Sequence, residues 1–348
     1  MATVADPAER SQASAADATL IALEGISKRF VRSLDLAEKI GNLLGAGRKE
    51  EVVHAVDGVS LAIRRGEVLA LVGESGCGKS TLGRLAVGLL APSAGERYWK
   101  GAPLSGLGAA KAREMQLRMQ MIFQDPYASL NPRMRVVDIV GEASLVHGMI
   151  VARQQVEYVG LQLNRVGLDP TLMRRFPHQF SGGQRARIGI ARALSVKPEF
   201  LVCDESVAAL DVSIQAQVLN LFMELREALD LTYLFISHDL GVVQHISDRV
   251  LIMYLGRVVE SGPTRELFGA PNHPYTQALL AEVGKVEPVK RTFMPVKGEI
   301  PSPLHPPSGC HFHPRCPYAM PRCQEAVPPL VEIAPGRMSA CWLNEVRA

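Results

Sequence analysis

A glycine-rich loop at residues 73–81, GESGCGKST, has the residue types and spacing of a phosphate-binding loop. Its glycines let backbone N–H groups converge on phosphate oxygens, and the helix expected after it adds a positive N-terminus. Lys79 can neutralise β- and γ-phosphates, and the Ser80 hydroxyl can bind Mg²⁺. Position 77 needs a small side chain rather than a thiol. The loop predicts a nucleotide site built from Gly73, Ser75, Gly76, Cys77, Gly78, Lys79, Ser80 and Thr81.

Two adjacent carboxylates, Asp204 and Glu205, end the apolar run FLVCDE. Burying two carboxylates costs free energy unless a cation or hydrogen-bond donors compensate their charge. Beside a phosphate loop, this pattern predicts that Asp204 binds Mg²⁺ and that Glu205 polarises the attacking water. The alternative is a solvent-facing loop with two ordinary acids.

A second polar and glycine-rich loop consists of Ser181, Gly182, Gly183 and Gln184. It offers a hydroxyl, backbone donors and a helix N-terminus, which suit an anion. One phosphate loop with its carboxylates already completes a nucleotide site, so this loop is surplus within a monomer, and a monomeric nucleotide kinase would leave it unexplained. We therefore expect two chains to pack reciprocally, the Ser181 loop of each facing the Lys79 loop of the other across ATP.

The apolar pattern around these loops predicts alternating strands and helices. Strands are expected at VLALVGE, FLVCDE and TYLFIS, helices at residues 182–196, 213–229 and 240–246, and a hairpin at RVLIMYLGRVVESG. Two β-like runs, LIALEGISKRF and VVHAVDGVSLAIRRGE, come first and are separated by an insertion at 32–51. Apolar spacings of three and four predict a helical insertion at 135–177. The fold class is therefore α/β, with a mostly parallel sheet covered on both faces.

Composition sets limits on partners and location. With 47% hydrophobic residues, 21% charged residues and a net charge of +3, the 348-residue chain is too mildly basic to indicate a nucleic-acid partner. No apolar run approaches the roughly 18 residues of a spanning helix, and the first residues lack the apolar core of a signal peptide. We expect a cytosolic protein that reaches any membrane through a partner.

The phosphate loop, SGGQ, VCDE and ISHD, in this order, resemble an ATP-binding-cassette (ABC) ATPase of the P-loop NTPase class. The resemblance implies a nucleotide-binding domain at residues 20–262, with an antiparallel β subdomain and a helical subdomain at about 125–196. Residues 1–19, rich in Ala, Ser, Asp and Glu, are expected to be a disordered tail. Residues 263–348 are expected to be a small cysteine-containing extension whose proline-rich part sustains neither a helix nor a central strand.

The resemblance also implies roles for individual residues. Phe30 resembles the aromatic residue that stacks on adenine, although a strand-end Phe is equally often core. Gln124 in MIFQDP resembles the glutamine that contacts Mg²⁺ and the water and reports to the membrane subunits. His238 in ISHD resembles the histidine that reaches the γ-phosphate, and Asp211 resembles the aspartate that crosses the dimer interface.

Two positions depart from the family pattern. Ser206 and Ala208 stand where members often have proline and serine, and Ala208 removes a possible hydroxyl from the dimer interface. Since Glu205, His238 and Ser181 are retained, a hydrolytically competent site is expected.

The segments QDPYASLNPRM, LDVSIQAQVLNL, GAPNHPYTQALL and GEIPSPLHPPSGCHFHPRCPYA resemble the dipeptide and oligopeptide importer branch, particularly the subunit paired with a second, similar ATPase. The resemblance implies a bacterial importer with two transmembrane permeases and an extracytoplasmic binding protein, and a peripheral ATPase on the cytoplasmic face of the inner membrane. Nickel chelates and glutathione are alternative solutes. A soluble switch on ribosomes or DNA is the rival, but such proteins usually carry two cassettes or long coiled insertions.

Four cysteines crowd the C-terminal part with the spacing C-x5-C-x6-C-x17-C. They are Cys310, Cys316, Cys323 and Cys341. Cytosolic redox poise argues against disulfides, whereas four thiolates can hold a [4Fe–4S] cluster or Zn²⁺. Several relatives of this type carry an iron–sulfur cluster at such cysteines, so the resemblance favours [4Fe–4S]. The alternatives are Zn²⁺, with His311 or His313 as extra ligands, and no metal. Metal binding would fold a segment that has little core of its own.

Overall fold

The computed structural model describes residues 19–32, 50–125, 128–208, 210–281 and 298–347. The predicted disordered tail lies outside these ranges except for Thr19, which begins the first strand. The insertion between the first two strands also lies outside them, apart from its ends. Among the helices of the described ranges, none has both the length and the apolar character that a bilayer span requires.

Strands and helices alternate along the chain, so the predicted α/β class is confirmed. The strands are β1 (Thr19–Arg32), β2 (Glu51–Arg64), β3 (Val68–Val72), β4 (Ala94–Trp99), β5 (Ala102–Pro103), β6 (Met119–Ile122), β7 (Phe200–Asp204), β8 (Thr232–Ile236), β9 (Arg249–Tyr254), β10 (Arg257–Pro263), β11 (Val331–Ala334) and β12 (Arg337–Ser339). The helices are α1 (Lys79–Val87), α2 (Ala109–Arg118), α3 (Val136–Val146), α4 (Gln155–Arg165), α5 (Gly182–Leu194), α6 (Val212–Leu229), α7 (Leu240–Ile246), α8 (Thr264–Gly269), α9 (Pro274–Ala281), α10 (Pro321–Glu325) and α11 (Leu343–Arg347).

The larger sheet has the strand order β11-β12-β10-β9-β3-β8-β7-β6, and its five strands from β9 to β6 are parallel. β3, β7 and β8 are buried at every residue, as expected for continuous apolar runs covered on both faces. Alternate residues of β7 pack into two different hydrophobic clusters, one on each face. Because parallel strands end at one edge, the segments after β3, β7 and β8 meet there.

The smaller sheet is antiparallel, with the order β2-β1-β4-β5. β1 and β2 pair along most of their length, and this register places Phe30 opposite Val53. Inward residues of β1 and β2 share one hydrophobic cluster with β3 and α1. The phosphate loop is therefore anchored between the two sheets.

A helical region formed by α3, α4 and α5 lies between β6 and β7 in the chain, where apolar spacing predicts helices. Its buried side chains, such as Val140, Val159 and Leu163, join the cluster that also contains α6. α5 carries the Ser181 loop at its N-terminus.

The C-terminal extension is more regular than the sequence predicts. The expectation of irregular structure holds for residues 298–312, but β11 and β12 form a hairpin, and β12 pairs with β10 at the edge of the larger sheet. Proline does not prevent this pairing because Pro335 and Gly336 occupy the turn between the strands, where Gly336 has a φ of 71°. The extension is thus continuous with the larger sheet.

Candidate functional site

The phosphate loop follows the buried strand β3 and ends where α1 begins at Lys79. Two of its glycines are required by close backbone packing. A Cβ atom at Gly73 would lie 2.2 Å from the Met253 carbonyl oxygen, and one at Gly78 would lie 2.1 Å from that of Ala55. Gly78 also has a φ of 105°. The loop is therefore pressed between β9 and β2 with its backbone tightly held.

Lys79 and Cys77 have the environments that their assigned positions require. The Lys79 side chain is buried, and its Nζ donates to the carbonyl oxygens of Gly73 at 2.7 Å and Glu74 at 3.0 Å. Cys77 is also buried, which raises the pKa of its thiol. Its packing fits the interpretation that the position needs a small side chain rather than a thiol.

Asp204 and Ser80 lie together at the end of β7. Asp204 is 2% exposed, and the Ser80 Oγ donates to its Oδ1 at 2.8 Å. Burial raises the pKa of Asp204, and the Ser80 hydrogen bond opposes that shift. A buried carboxylate beside a hydroxyl of the phosphate loop is an oxygen donor set that fits Mg²⁺. The alternative of a solvent-facing acid does not apply to Asp204.

Glu205 is the point at which three sequence-predicted residues converge. Gln124 Nε2 donates to Glu205 Oε2 at 2.8 Å, and His238 Nδ1 lies 3.4 Å from the same oxygen. Glu205 itself has a φ of 45°, a left-handed conformation that is costly for a side-chain-bearing residue. Its N–H donates to the Ile236 carbonyl oxygen at 3.0 Å, which ties the strained residue to the end of β8. Strain of this kind clusters at functional sites.

An open pocket of about 320 Å³ joins these residues. It is lined by Val53, Ala55, Ser75, Gly76, Gly78, Lys79, Ser80, Thr81, Gln124, Glu205 and Pro303. Phe30 stands opposite Val53 in the neighbouring strand, with 42% of its surface exposed and Lys28 Nζ 5.3 Å from its ring centre. The ring is therefore outside the core.

The Ser181 loop does not line this pocket in the described part of the chain. Ser181 caps α5, since its Oγ accepts from the Gln184 N–H at 3.3 Å and Gln184 Oε1 accepts from the Ser181 N–H at 3.0 Å. A Cβ atom at Gly183 would lie 2.4 Å from Ile214 Cγ2, so that glycine is needed for packing against α6. Ser181, Gly182 and Asp211 are exposed. The second loop is thus presented at the surface, apart from the first.

The two departures from the family pattern have different environments. Ser206 is 5% exposed, and its Oγ has no hydrogen-bond partner among the described residues. It borders a cavity of about 10 Å³ that Arg192 and Phe123 also line, which is about the size of one water molecule. Ala208 is exposed.

Three residues of the C-terminal extension that contact this site were missed by sequence reasoning. Pro303 lines the pocket, and its carbonyl oxygen accepts from the His54 N–H at 3.1 Å. Tyr275 OH accepts from the Glu74 N–H at 2.9 Å, and Arg315 forms an ion pair with Glu74. Since 241 residues separate Arg315 from Glu74, no local sequence pattern signals the contact.

The four C-terminal cysteines lie near one another. Burial raises the pKa of Cys310 to about 11, and the other three thiols add to the shift. The Cys310 N–H donates to the Cys323 carbonyl oxygen at 2.8 Å. Within the described ranges, no group of three or more His, Cys, Asp or Glu side chains is arranged to hold a single metal ion.

The two histidines considered as extra ligands bind backbone oxygens through Nδ1. His311 Nδ1 lies 3.1 Å from the Leu255 carbonyl oxygen, and His313 Nδ1 lies 2.9 Å from that of Cys310. Burial lowers the pKa of His311. Only the second ring nitrogen of each histidine is left for a metal.

Comparison with known proteins gives two family matches and close relatives. Residues 56–208 match the family described as ABC transporter, and residues 259–323 match the C-terminal region of oligopeptide/dipeptide transporters. The oligopeptide transport ATP-binding protein AppF of Bacillus subtilis (strain 168) is 50% identical over 330 residues, which are 93% of this chain and 97% of that protein. The putative oligopeptide transport ATP-binding protein YkfD of the same strain is 51% identical over 299 residues, 85% and 91% of the two chains.

Solved structures share the fold. The protein cbiO1 of Clostridium perfringens, part of the ABC transporter complex cbiONQ, superposes with a TM-score of 0.59 at 27% identity, covering 72% of this chain and 91% of that one. A dimeric post-hydrolysis structure of the ATP-binding cassette MJ0796 bound to ADP and Pi gives a TM-score of 0.60 at 23% identity, covering 71% and 99%. The second likeness concerns the fold alone.

Proposed function

Since the chain belongs to the ABC transporter family, we propose that it is the ATP-hydrolysing subunit of a bacterial importer of dipeptides or oligopeptides. The observation that carries the ATPase assignment is the convergence of Gln124, Glu205 and His238 beside the phosphate loop. The peptide assignment is supported by the matched C-terminal region and by the names of the relatives that share half of the sequence.

ATP binding is assigned to the 320 Å³ pocket. The buried Lys79 ammonium and the loop N–H groups would hold the β- and γ-phosphates, while Phe30 would stack on adenine. Ser80, Gln124 and Asp204 would hold Mg²⁺, which neutralises phosphate charge when bound. The low exposure of Lys79 and Asp204 supports this assignment, because charged groups gain most from each other where water is excluded.

Hydrolysis is assigned to Glu205, which would orient the attacking water and accept its proton. Gln124 and His238 bind one carboxylate oxygen of Glu205 and so leave the other oxygen available to water. From the same positions, these two side chains would contact Mg²⁺ and the γ-phosphate respectively.

The exposed Ser181 loop supports a head-to-tail dimer with a second ATPase of the same type. In that arrangement, Ser181, Gly182, Gly183 and Gln184 of one subunit would cover the triphosphate of its partner, and Asp211 would lie at the interface. ATP binds more tightly to the closed dimer, so binding and hydrolysis would drive closing and opening. Two permeases and an extracytoplasmic binding protein would complete an importer that holds this chain at the cytoplasmic face of the inner membrane.

We assign residues 20–262 to the ATPase domain, with the helical subdomain at about 125–196, and residues 263–348 to the extension.

Mass spectrometry of the complex, purified without oxygen from gently solubilised native membranes, tests the proposed assembly. Two multi-spanning proteins and a sister ATPase are expected. Ribosomal or DNA-bound partners without a membrane protein would contradict the importer, and a binding protein for nickel chelates or glutathione would contradict the peptide assignment.

Replacement of Phe30 by alanine is expected to weaken ATP binding about tenfold, because stacking of a base on an aromatic ring contributes roughly 1–3 kcal/mol. Calorimetric titration of the full chain with ATP measures the change. Phe30→Trp is the matched control and should retain affinity, since indole also stacks. Equal affinity of wild type and Phe30→Ala would show that the ring does not contact adenine.

We further propose that Cys310, Cys316, Cys323 and Cys341 hold a [4Fe–4S] cluster with a structural role. Four cysteines are the usual ligands of such a cluster, and the hydrogen bond from the Cys310 N–H to the Cys323 carbonyl oxygen supports a shared site for these two. Metal binding at this position would tie residues 310–323 to the end of the chain.

A Cys316→Ser variant is expected to lose most of its bound iron. The iron, sulfide and zinc contents are measured on protein purified without oxygen. Wild type should carry about four irons per chain. Cys203→Ala is the matched control, because Cys203 is buried in β7 and should not affect iron content. Zinc in place of iron would favour the alternative metal. A wild-type chain that contains neither iron nor zinc would contradict the cluster assignment.

A further inference from the structure

A buried ion pair joins the C-terminal extension to the phosphate loop. The Arg315 side chain is 5% exposed, and its Nη1 and Nη2 donate to the Glu74 carboxylate at 2.7 Å and 2.9 Å. The guanidinium also lies 5.8 Å from the ring centre of Tyr254 and 6.0 Å from that of Phe312. A two-point bond of this kind fixes the orientation of both partners.

The backbone of Glu74 is part of the same arrangement. Its N–H donates to Tyr275 OH at 2.9 Å, and its carbonyl oxygen accepts from Lys79 Nζ at 3.0 Å. A shift of Glu74 would therefore also displace the Lys79 ammonium group, which is assigned to the triphosphate. Arg315 and Tyr275 hold Glu74 through its side chain and its backbone respectively.

The charge of Glu74 also needs compensation. This carboxylate belongs to a loop assigned to bind a strongly anionic triphosphate, and its side chain is only 21% exposed. Like charges repel more strongly where water is excluded. Arg315 supplies the opposite charge at hydrogen-bonding distance and so removes this repulsion.

We propose that Arg315 is a positioning residue for ATP: it neutralises Glu74 and, through Glu74, fixes the phosphate loop and Lys79. This inference rests on the proposed ATP site. Because Arg315 directly precedes Cys316 in the chain, folding of the cysteine-containing segment also places the guanidinium. The extension thereby sets the ATP affinity of the nucleotide-binding domain.

Calorimetric titration of the full chain with ATP tests the inference in four variants. Arg315→Gln should weaken ATP binding about tenfold, equivalent to about 1.4 kcal/mol, because it leaves the Glu74 charge unpaired. Glu74→Gln should weaken ATP binding less than Arg315→Gln, because it loses the two-point bond but leaves no unpaired negative charge beside the triphosphate. Adding Glu74→Gln to Arg315→Gln should restore most of the lost affinity, and Arg315→Lys should lose less than Arg315→Gln. Steady-state hydrolysis should show a higher KM with an unchanged kcat.

The control is Arg337→Gln, which removes another largely buried arginine of the extension, bonded to Glu260 and to the Ala270 carbonyl oxygen. Its ATP affinity should equal that of wild type. If adding Glu74→Gln fails to restore the ATP affinity lost in Arg315→Gln, the ion pair has only a structural role. If Arg315→Gln does not fold, equal ATP affinity of wild type, Arg315→Lys and Glu74→Gln would overturn the inference.

Failure of this inference can be distinguished from failure of the proposed function. A wild-type chain that does not bind ATP would overturn both. A wild-type chain that binds ATP with the same affinity as all four variants would overturn only the role of Arg315.

Discussion

The Glu205→Gln variant is expected to bind ATP normally but to hydrolyse it at least about 100-fold more slowly, because the amide cannot accept a proton from water. Gln124 and His238 would still position the substituted side chain, so the geometry of the site should be retained. Steady-state phosphate release and ATP titration of the same preparation measure the two effects.

This variant should also accumulate as an ATP-bound dimer, since ATP stabilises the closed state and hydrolysis no longer reopens it. Size-exclusion chromatography with and without ATP detects the shift. Glu227→Gln is the matched control, because Glu227 is exposed on α6 and should affect neither turnover nor assembly. Normal steady-state hydrolysis by Glu205→Gln would exclude Glu205 as the proton acceptor.

Replacement of Lys79 by glutamine is expected to weaken ATP binding about 100-fold, because it removes a buried positive charge assigned to the β- and γ-phosphates. The uncharged amide would also lose charge-assisted hydrogen bonds to the Gly73 and Glu74 carbonyl oxygens. Calorimetric titration with ATP provides the measurement.

Lys111→Gln is the control for this change, since Lys111 is an exposed lysine of α2. Its ATP affinity should not change. If Lys79→Gln bound ATP with wild-type affinity, the nucleotide would not bind at the phosphate loop.

Much of the nucleotide site could be predicted from the sequence because it is encoded by local motifs. The loop at 73–81 and the carboxylates after FLVC stand at the ends of continuous apolar runs, which fixes them at one edge of a parallel sheet. The structure brings Gln124, Glu205 and His238 together there, in keeping with the roles that the family resemblance implies. It leaves the Ser181 loop at the surface, where a partner subunit can meet it.

The contribution of the extension could not be predicted in the same way. Its proline-rich sequence lacks the apolar periodicity that predicts helices and strands. The β11–β12 hairpin is stabilised by pairing with β10, and a local sequence pattern does not reveal that pairing. The contacts of Arg315 with Glu74 and of Pro303 with His54 join residues more than two hundred positions apart. Such contacts depend on tertiary packing and not on spacing.

The most direct test of the proposed function is uptake of peptides by the purified native complex in sealed proteoliposomes. In vesicles with this chain and ATP inside and the binding protein outside, we expect labelled dipeptides or oligopeptides to accumulate inside. Accumulation should stop with Glu205→Gln. ATP-driven uptake of a nickel chelate or glutathione but not of any other peptide, or peptide uptake that persists with Glu205→Gln, would contradict the account.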